Sequence, residues 1–331
     1  MRFSILDQSP VVAGQSPQAA LEQTVDLARR AETLGYYRYW VSEHHNDVAF
    51  AHAAPEIVVT RIAAATHDIR VGAGGVLLSH YSPYKVAEQF NLLETLFPGR
   101  IDLGLGRAGG GEGQSDAALR PSGDPRPSHW EKLDHLLAYL GEGRGDARPF
   151  SDVHARPLVS PGPSCWILGT SPLSAKNAAW RGLPFAFGSF IDPRQMIESL
   201  RTYHQHFRPS AYLDRPLTNL TIYVLAAETD GEARELARST DVWFVRTFVR
   251  GGVSKFPTNA EAHDEVLSER EQMVVDLRRR TIAVGTPEQV MERLRSFQDL
   301  LQVDELSLVT LTADYADRVR SYELIAGQTS A

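Results

Sequence analysis

The sequence predicts an α/β protein folded as a (β/α)8 TIM barrel, with insertions in the loops at the carboxyl ends of its strands. Three observations carry this. Short β-rich runs alternate with amphipathic helical patterns along the whole chain, and eight such runs can be counted. Several helices are announced by Ser, Thr or Asp followed by proline, the N-cap and first helical position. No linker, low-complexity tract or internal repeat divides the 331 residues, so one domain over 1–331 is the simplest organisation. An open doubly wound sheet is the structural alternative for the same alternation.

The first strand is Phe3 to Leu6, and Ser16-Pro17 opens its helix, with Leu27, Ala31 and Leu34 at helical spacing and Gly35 as the stop. Arg38 to Ser42 is the second strand and Ile69 to Leu78 holds the third. Ser82-Pro83 starts the next helix, with Val86, Phe90, Leu93 and Phe97 on one face. Ile101 to Leu105 is the fourth strand, and Leu133, Leu136, Leu137 and Leu140 mark a helix after a long polar stretch. Cys165 to Leu168, followed by a Ser171-Pro172 helix, is the fifth. Pro184 to Phe187 is the sixth, with a helix capped at Asp192-Pro193. Thr221 to Ala227 is the seventh and Glu305 to Val309 the eighth. Between these two, Thr286-Pro287 with Gln289 forms a capping box ahead of the stripe Val290, Leu294, Phe297, Leu301. Residues 108–128 and 250–283 interrupt the rhythm and are expected to be flexible active-site insertions.

Composition narrows the partners. A net charge of −7 disfavours nucleic acid and anionic membranes, whose phosphates an acidic surface repels. No apolar run approaches a membrane span and no signal peptide is visible, so a cytoplasmic protein is expected. The single cysteine, Cys165, sits in an apolar run and reads as a buried, inert thiol.

A barrel builds its active site at the carboxyl ends of the strands. That rule gathers Glu43, His44 and His45 after the second strand, Gly74-Gly75 near the end of the third, Arg107 after the fourth, and Thr170, Ser171 and Ser174 after the fifth. The helix opening at Ser171 presents free backbone N–H groups that suit an anion, and Arg107 can reach across to phosphate oxygens. Ser171 reads equally well as a plain N-cap and Arg107 as a surface ion pair. The glycines of Gly72-Ala73-Gly74-Gly75 lack the spacing of a nucleotide fingerprint; they suit close approach to a flat ligand, or simply a strand bulge. His44 and His45, adjacent on an extended strand, point to opposite faces and do not chelate one metal; one of them facing the site is a candidate proton donor or acceptor.

Several of these segments carry a family resemblance. Arg38-Tyr39-Trp40-Val41-Ser42-Glu43-His44-His45-Asn46 resembles the signature of the luciferase-like flavin-dependent monooxygenases, as do Ile69 to Val76, Val86 to Glu94, Pro98 to Arg107, Leu168-Gly169-Thr170-Ser171 and Val284-Gly285-Thr286-Pro287-Glu288. The resemblance covers nearly the whole chain outside 108–160 and 250–280. It implies that Arg107, Ser171 and Ser174 hold the phosphate of FMN, with Thr170 beside them. It further implies that Gly74-Gly75 is the non-proline cis peptide under the flavin ring, and that His44 is the catalytic histidine.

The implied activity is monooxygenation of a small organic substrate with O2, through a C4a-peroxyflavin formed on reduced FMN from a separate flavin reductase. A homodimer through the helices after the second and third strands is implied in the same way. Two other functions are weighed: a deazaflavin-dependent reductase or dehydrogenase on the same barrel, and a flavin-binding protein without turnover. The chain departs from many relatives at Arg107-Ala108-Gly109, where a proline follows the Arg-Ala pair, and its arginines from Arg144 to Arg156 match no family role.

Overall fold

Inward and outward positions alternate along the strands, and the two faces bury different residues. The computed structural model describes residues 2–107, 113–119, 127–141, 149–150, 152–252 and 254–328. On β1 (Arg2–Asp7), Phe3 and Ile5 join the core beneath the helices, whereas Ser4 and Leu6 face the barrel interior. On β2 (Arg38–Val41), Tyr39 and Val41 are outward, Arg38 and Trp40 inward. The same alternation runs through β3 (Arg70–Leu77), β4 (Ile101–Gly106), β5 (Ser164–Gly169), β6 (Phe185–Gly188) and β7 (Thr218–Ala226).

β8 (Ala283–Gly285) is a three-residue strand on β7 alone, and β9 (Glu305–Val309) completes the set. All pairings are parallel. β1 to β6 pair in sequence, β6 pairs β7, β7 pairs β9, and β9 pairs β1, which closes an eight-stranded barrel with β8 outside the ring. Closure settles the choice against an open sheet. The eight predicted strands are all present. β8 was not anticipated, because three residues are too few to show a period.

The helices are α1 (Pro17–Thr33), α2 (Pro55–Ala63), α3 (Pro83–Leu96), α4 (Gly113–Leu119), α5 (His129–Tyr139), α6 (Pro172–Arg181), α7 (Met196–His206), α8 (Asp230–Phe244), α9 (Asn259–Asp264), α10 (Glu269–Arg279), α11 (Pro287–Leu301) and α12 (Tyr315–Gly327). Ser16, Ser82 and Ser171 each accept from the backbone N–H three residues on, with proline following, as their spacing predicts. Thr286 and Gln289 form the expected capping box. Cys165 is buried against the helices.

One local expectation fails. The helix predicted at Asp192-Pro193 begins at Met196 instead, because the Asp192 carboxylate binds the Arg194 N–H and guanidinium in a local turn. Residues 250–283 are helical over much of their length, in α9 and α10, each opened by a capping box. Within 108–128, residues 113–119 form α4; residues 108–112 and 120–126 lie outside the described residues, as do Arg144 and Arg148 of the arginine run.

Candidate active site

The barrel interior is closed at its amino end by a buried ionic layer. Arg38 reaches Glu305 with Nε and Nη2 at 2.6 and 3.0 Å and Asp102 with Nη1 at 2.6 Å. Arg70 binds the other Asp102 oxygen, and Ser4 and Asn219 donate to Glu305. Above this layer Trp40 and Trp166 meet edge to face at 5.4 Å, with the Arg38 guanidinium over both rings. A groove of about 480 Å³ opens at this same amino end, lined by Arg2, Glu32, Tyr37, Asp68 and Arg70. It lies away from every candidate catalytic group, so the chemistry is sought at the other end.

At the carboxyl end, small residues leave the mouth open. Gly74 and Gly75 are partly exposed on a strand otherwise buried over Val71–Leu77, and the peptide joining them is cis. The β3–β4 register shifts between Ala73 and Val76, so the pair sits at a bulge. Here β3 presses on β4: a Cβ on Gly75 would lie 2.7 Å from the Gly104 carbonyl oxygen, and one on Gly104 would lie 2.3 Å from that of Ala73. Only glycine permits this approach.

The end of β2 continues the inward and outward alternation. Glu43 turns outward and is buried. Its carboxylate accepts from the Leu77 N–H at 3.0 Å and the Tyr81 hydroxyl at 2.7 Å, with His45 Nε2 at 2.7 Å, and burial raises its pKa. It thereby ties the end of β2 to β3 just past the glycine pair. His44 turns inward. Its Nε2 lies 2.8 Å from Gln8 Oε1, and its ring stacks on Phe50 at 4.2 Å. Burial, with His52 and His45 nearby, lowers its pKa to about 3, so the ring is neutral at physiological pH. The opposed directions of His44 and His45 agree with the strand argument. Among the described residues no group of three or more His, Cys, Asp or Glu is placed to hold a metal ion.

Arg107 and the α6 terminus come together through β4–β5 pairing, since Leu105 faces Ile167 and the two strands end side by side. Ser171 caps α6, its hydroxyl 3.2 Å from that of Ser174. A Cβ on Gly169 would lie 2.5 Å from Ser174 Cβ, so glycine lets the helix start turn directly back onto the strand end. Thr170 and Ser171 are partly exposed and Ser174 is buried. Arg107 is exposed, and its carbonyl accepts from Ser79 at 3.3 Å.

Sequence reasoning missed several residues that converge here. Gln8 occupies the inward position two beyond Leu6, and the strand alternation could have found it. Phe50 meets Trp243 edge to face at 5.6 Å, and Trp243 packs on Phe256 at 5.9 Å. Phe256 bridges Val12 and exchanges backbone hydrogen bonds with Val11 and Ala13, which brings it against the loop after β1. Both His52 nitrogens, Trp243 Nε1, Thr247 Oγ1 and Ser254 Oγ are buried without hydrogen-bond partners among the described residues. No spacing signal marks these long-range contacts. His129, at the start of α5, lies within the field of Arg107 and was also missed.

Comparison with known proteins yields one consistent family. A family model described as luciferase-like monooxygenase matches residues 1–302. The chain is 35% identical over 332 residues to the N-acetyl-S-alkylcysteine monooxygenase of Bacillus subtilis (strain 168), covering 98% of this chain and 97% of that protein. The crystal structure of apo-MsnO8 superposes with a TM-score of 0.87 at 38% identity, covering 99% of this chain and 98% of that one. The oxygenating constituent of 3,6-diketocamphane monooxygenase from Pseudomonas putida, solved in complex with FMN, superposes with a TM-score of 0.71 at 19% identity over 98% and 96% of the two chains, which shows the shared fold.

Proposed function

The chain belongs to the luciferase-like monooxygenase family and is an oxidoreductase, and from this we propose that it uses reduced FMN and O2 to oxygenate a small organic substrate. The observation that carries the cofactor is the juxtaposition of an anion site with a glycine-floored mouth. The exposed Arg107, the α6 terminus and the Ser171 and Ser174 hydroxyls fit a phosphate, with Thr170 beside them. The partly exposed Gly74-Gly75 pair fits a flat ring laid against backbone, because no side chain stands between.

Reduced FMN, when bound, supplies the two electrons with which one oxygen atom of O2 enters the substrate while the other leaves as water. The chain's own groups hold that reaction in place. With Gln8 presenting its carbonyl oxygen, His44 Nε2 carries the ring proton and donates it in the 2.8 Å hydrogen bond, which leaves Nδ1 as a neutral acceptor. The neutral ring therefore offers Nδ1 as a hydrogen-bond acceptor and imposes no charge on the mouth. Phe50 and Trp243, backed by the fully buried Phe256, exclude water and edge the site with uncharged aromatic rings. Glu43 keeps the glycine segment in register by holding the Leu77 N–H.

A separate flavin reductase as the electron source, a cytoplasmic setting and a homodimer complete the reading. Among the described residues no helix is long and apolar enough to cross a membrane. The dimer finds support in Ile57 on α2 and Leu92 and Leu96 on α3, apolar side chains that are 67%, 50% and 54% exposed.

The test is anaerobic titration with reduced FMN followed by mixing with oxygen. Tight binding, with reoxidation kinetics distinct from those of free flavin, is expected. Arg107→Ala weakens binding by ~1.5–3 kcal/mol, the cost of a lost charged hydrogen bond. His44→Ala keeps FMN affinity within a few-fold and abolishes oxygenation. Failure to bind FMN, together with tight binding of a deazaflavin, replaces this reading with a reductase or dehydrogenase.

A further inference from the structure

The surroundings of Arg107 contain a histidine whose hydrogen bonds assign its tautomer. His129 Nδ1 lies 3.3 Å from Ser79 Oγ, and the same hydroxyl lies 3.3 Å from the Arg107 carbonyl oxygen. Ser79 has a single proton. With that proton given to the carbonyl, His129 Nδ1 must carry the ring proton and donate to Ser79, and Nε2 is left as a bare lone pair.

Among the described residues, the charged groups that act on this ring are cations from three elements: Arg107 after β4, Lys132 on α5 and Arg181 on α6. Two of them have fixed duties. Lys132 Nζ donates to the carbonyls of Ser79 and Tyr81 at 2.8 and 2.9 Å, and Arg181 binds the Asp134 carboxylate at 2.7 and 3.0 Å. Arg107 makes no ion pair among the described residues. Burial first, then these three cations, lowers the His129 pKa to about 4, so the ring is neutral while the site holds no anion. A phosphate dianion set against Arg107 offsets most of that positive field and favours the protonated ring.

We propose that His129 belongs to the phosphate-binding group of the FMN site and takes up a proton from solvent when a phosphate monoester dianion binds beside Arg107, converting Nε2 from an acceptor into a donor toward the phosphate. This rests on the FMN reading above and deepens it: cofactor loading becomes linked to pH through a residue outside the reacting centre. The proton neutralises part of the dianion's charge in a partly buried site. A histidine that only buttressed Ser79 would stay neutral throughout.

Calorimetric titration of the purified protein with FMN and with riboflavin, near neutral pH in two buffers of different ionisation enthalpy, reads the proton directly. The expected result is that FMN binding draws protons from the buffer in the wild-type protein, while His129→Gln binds FMN about tenfold more weakly, the loss of one charge-assisted hydrogen bond, without that uptake. The phosphate's own ionisation is common to both proteins and cancels in the comparison. Riboflavin, which lacks the phosphate, binds both alike with no uptake. His129→Lys, a permanent cation, recovers FMN affinity but not the uptake.

Equal uptake and equal affinity in wild type and His129→Gln overturn the inference while leaving the FMN reading intact. So does a variant that loses riboflavin in the same proportion as FMN, which would make His129 structural. Wild-type protein that binds neither flavin overturns the FMN reading itself, and this inference with it.

Discussion

His44 and His129 show how one residue type takes two environments and writes both into stability. Each ring is held neutral in the folded protein, with pKa values near 3 and 4 against an ordinary 6.5. The unfolded chain protonates these rings as pH falls through the ordinary value, whereas the folded chain resists until the lower ones. Between those limits the unfolded state binds more protons, so folding stability must fall as pH falls from about 6.5 toward 4 and must level off above that range. Each histidine adds at most about 1.4 kcal/mol per pH unit to the slope. Urea midpoints measured across this window should therefore decline with acid, and His44→Gln should flatten the decline. An unchanged slope in that variant would mean that the folded His44 titrates as an ordinary histidine. The same residues mark the limit of legibility. The strand end marked the histidine pair and the family resemblance singled out His44, but its partners are Gln8, in the loop after β1, and Phe50, farther along its own loop, which no spacing signal joins to it. His129 sits in Ser128-His129-Trp130-Glu131, which announces only a capping box.

At the scale of elements, residues 250–283 show why a charged stretch reads as loop yet folds. α10 has too few apolar positions for a stripe: Val275 is its buried residue, and Met273 and Leu277 are exposed. What docks it is charge. Arg278 and Arg279 bind the buried Asp241 carboxylate of α8 at 3.1 and 2.5 Å, and Arg250 ties Glu271 at 2.7 Å. The Asp241 pKa is raised, with burial outweighing its two arginines, so this is a carboxylate that depends on them. Asp241→Ala removes the anchor of two cations, and breaking a buried pair by taking one partner costs about 3–5 kcal/mol. Much of that loss should be local, since α10 has few other buried contacts. The expected outcome is faster amide exchange and proteolysis within 250–283, with the barrel strands still protected. Uniform loss of protection would show instead that the segment unfolds only with the barrel. Because Phe256 supports Trp243, which packs on Phe50 beside His44, the variant should also impair substrate use more than FMN binding. The start of α7 was misjudged for a related reason. Asp192-Pro193 has the letters of a cap, but Arg194 two residues on captures the carboxylate in a turn.

For the whole molecule, the barrel was legible because its signal is repeated eight times, a short strand and then a helix, most of the helices opened by a Ser or Thr cap. Closure was not written in any one segment. It comes from β9 filling the gap between β7 and β1, with Glu305 and Ser4 hydrogen-bonded across that seam. The site was legible at the strand ends and illegible wherever distant loops meet above them. A dimer is a further step in the same direction, since its evidence lies on an outer face. α2 and α3 are linked by Gln89 donating to Glu56 at 3.4 Å, and beside that link Ile57, Leu92 and Leu96 stand exposed. Scattered apolar side chains are ordinary on a monomer, but three on adjoining helices suit an isologous contact, in which the same patch meets its own copy. Twofold symmetry then sharpens the expectation, because a charge placed once in the sequence faces the interface twice. Ile57→Glu with Leu92→Glu should convert the protein from dimer to monomer in sedimentation velocity, while near-ultraviolet circular dichroism stays that of the folded barrel. A wild-type protein that already sediments as a monomer, or a double variant that remains dimeric, would move the contact off this face. If the monomer forms and still binds FMN with the wild-type constant, each barrel holds a complete cofactor site. If affinity falls with dissociation, the packing of α2 and α3 supports the rim that β2 and β3 present.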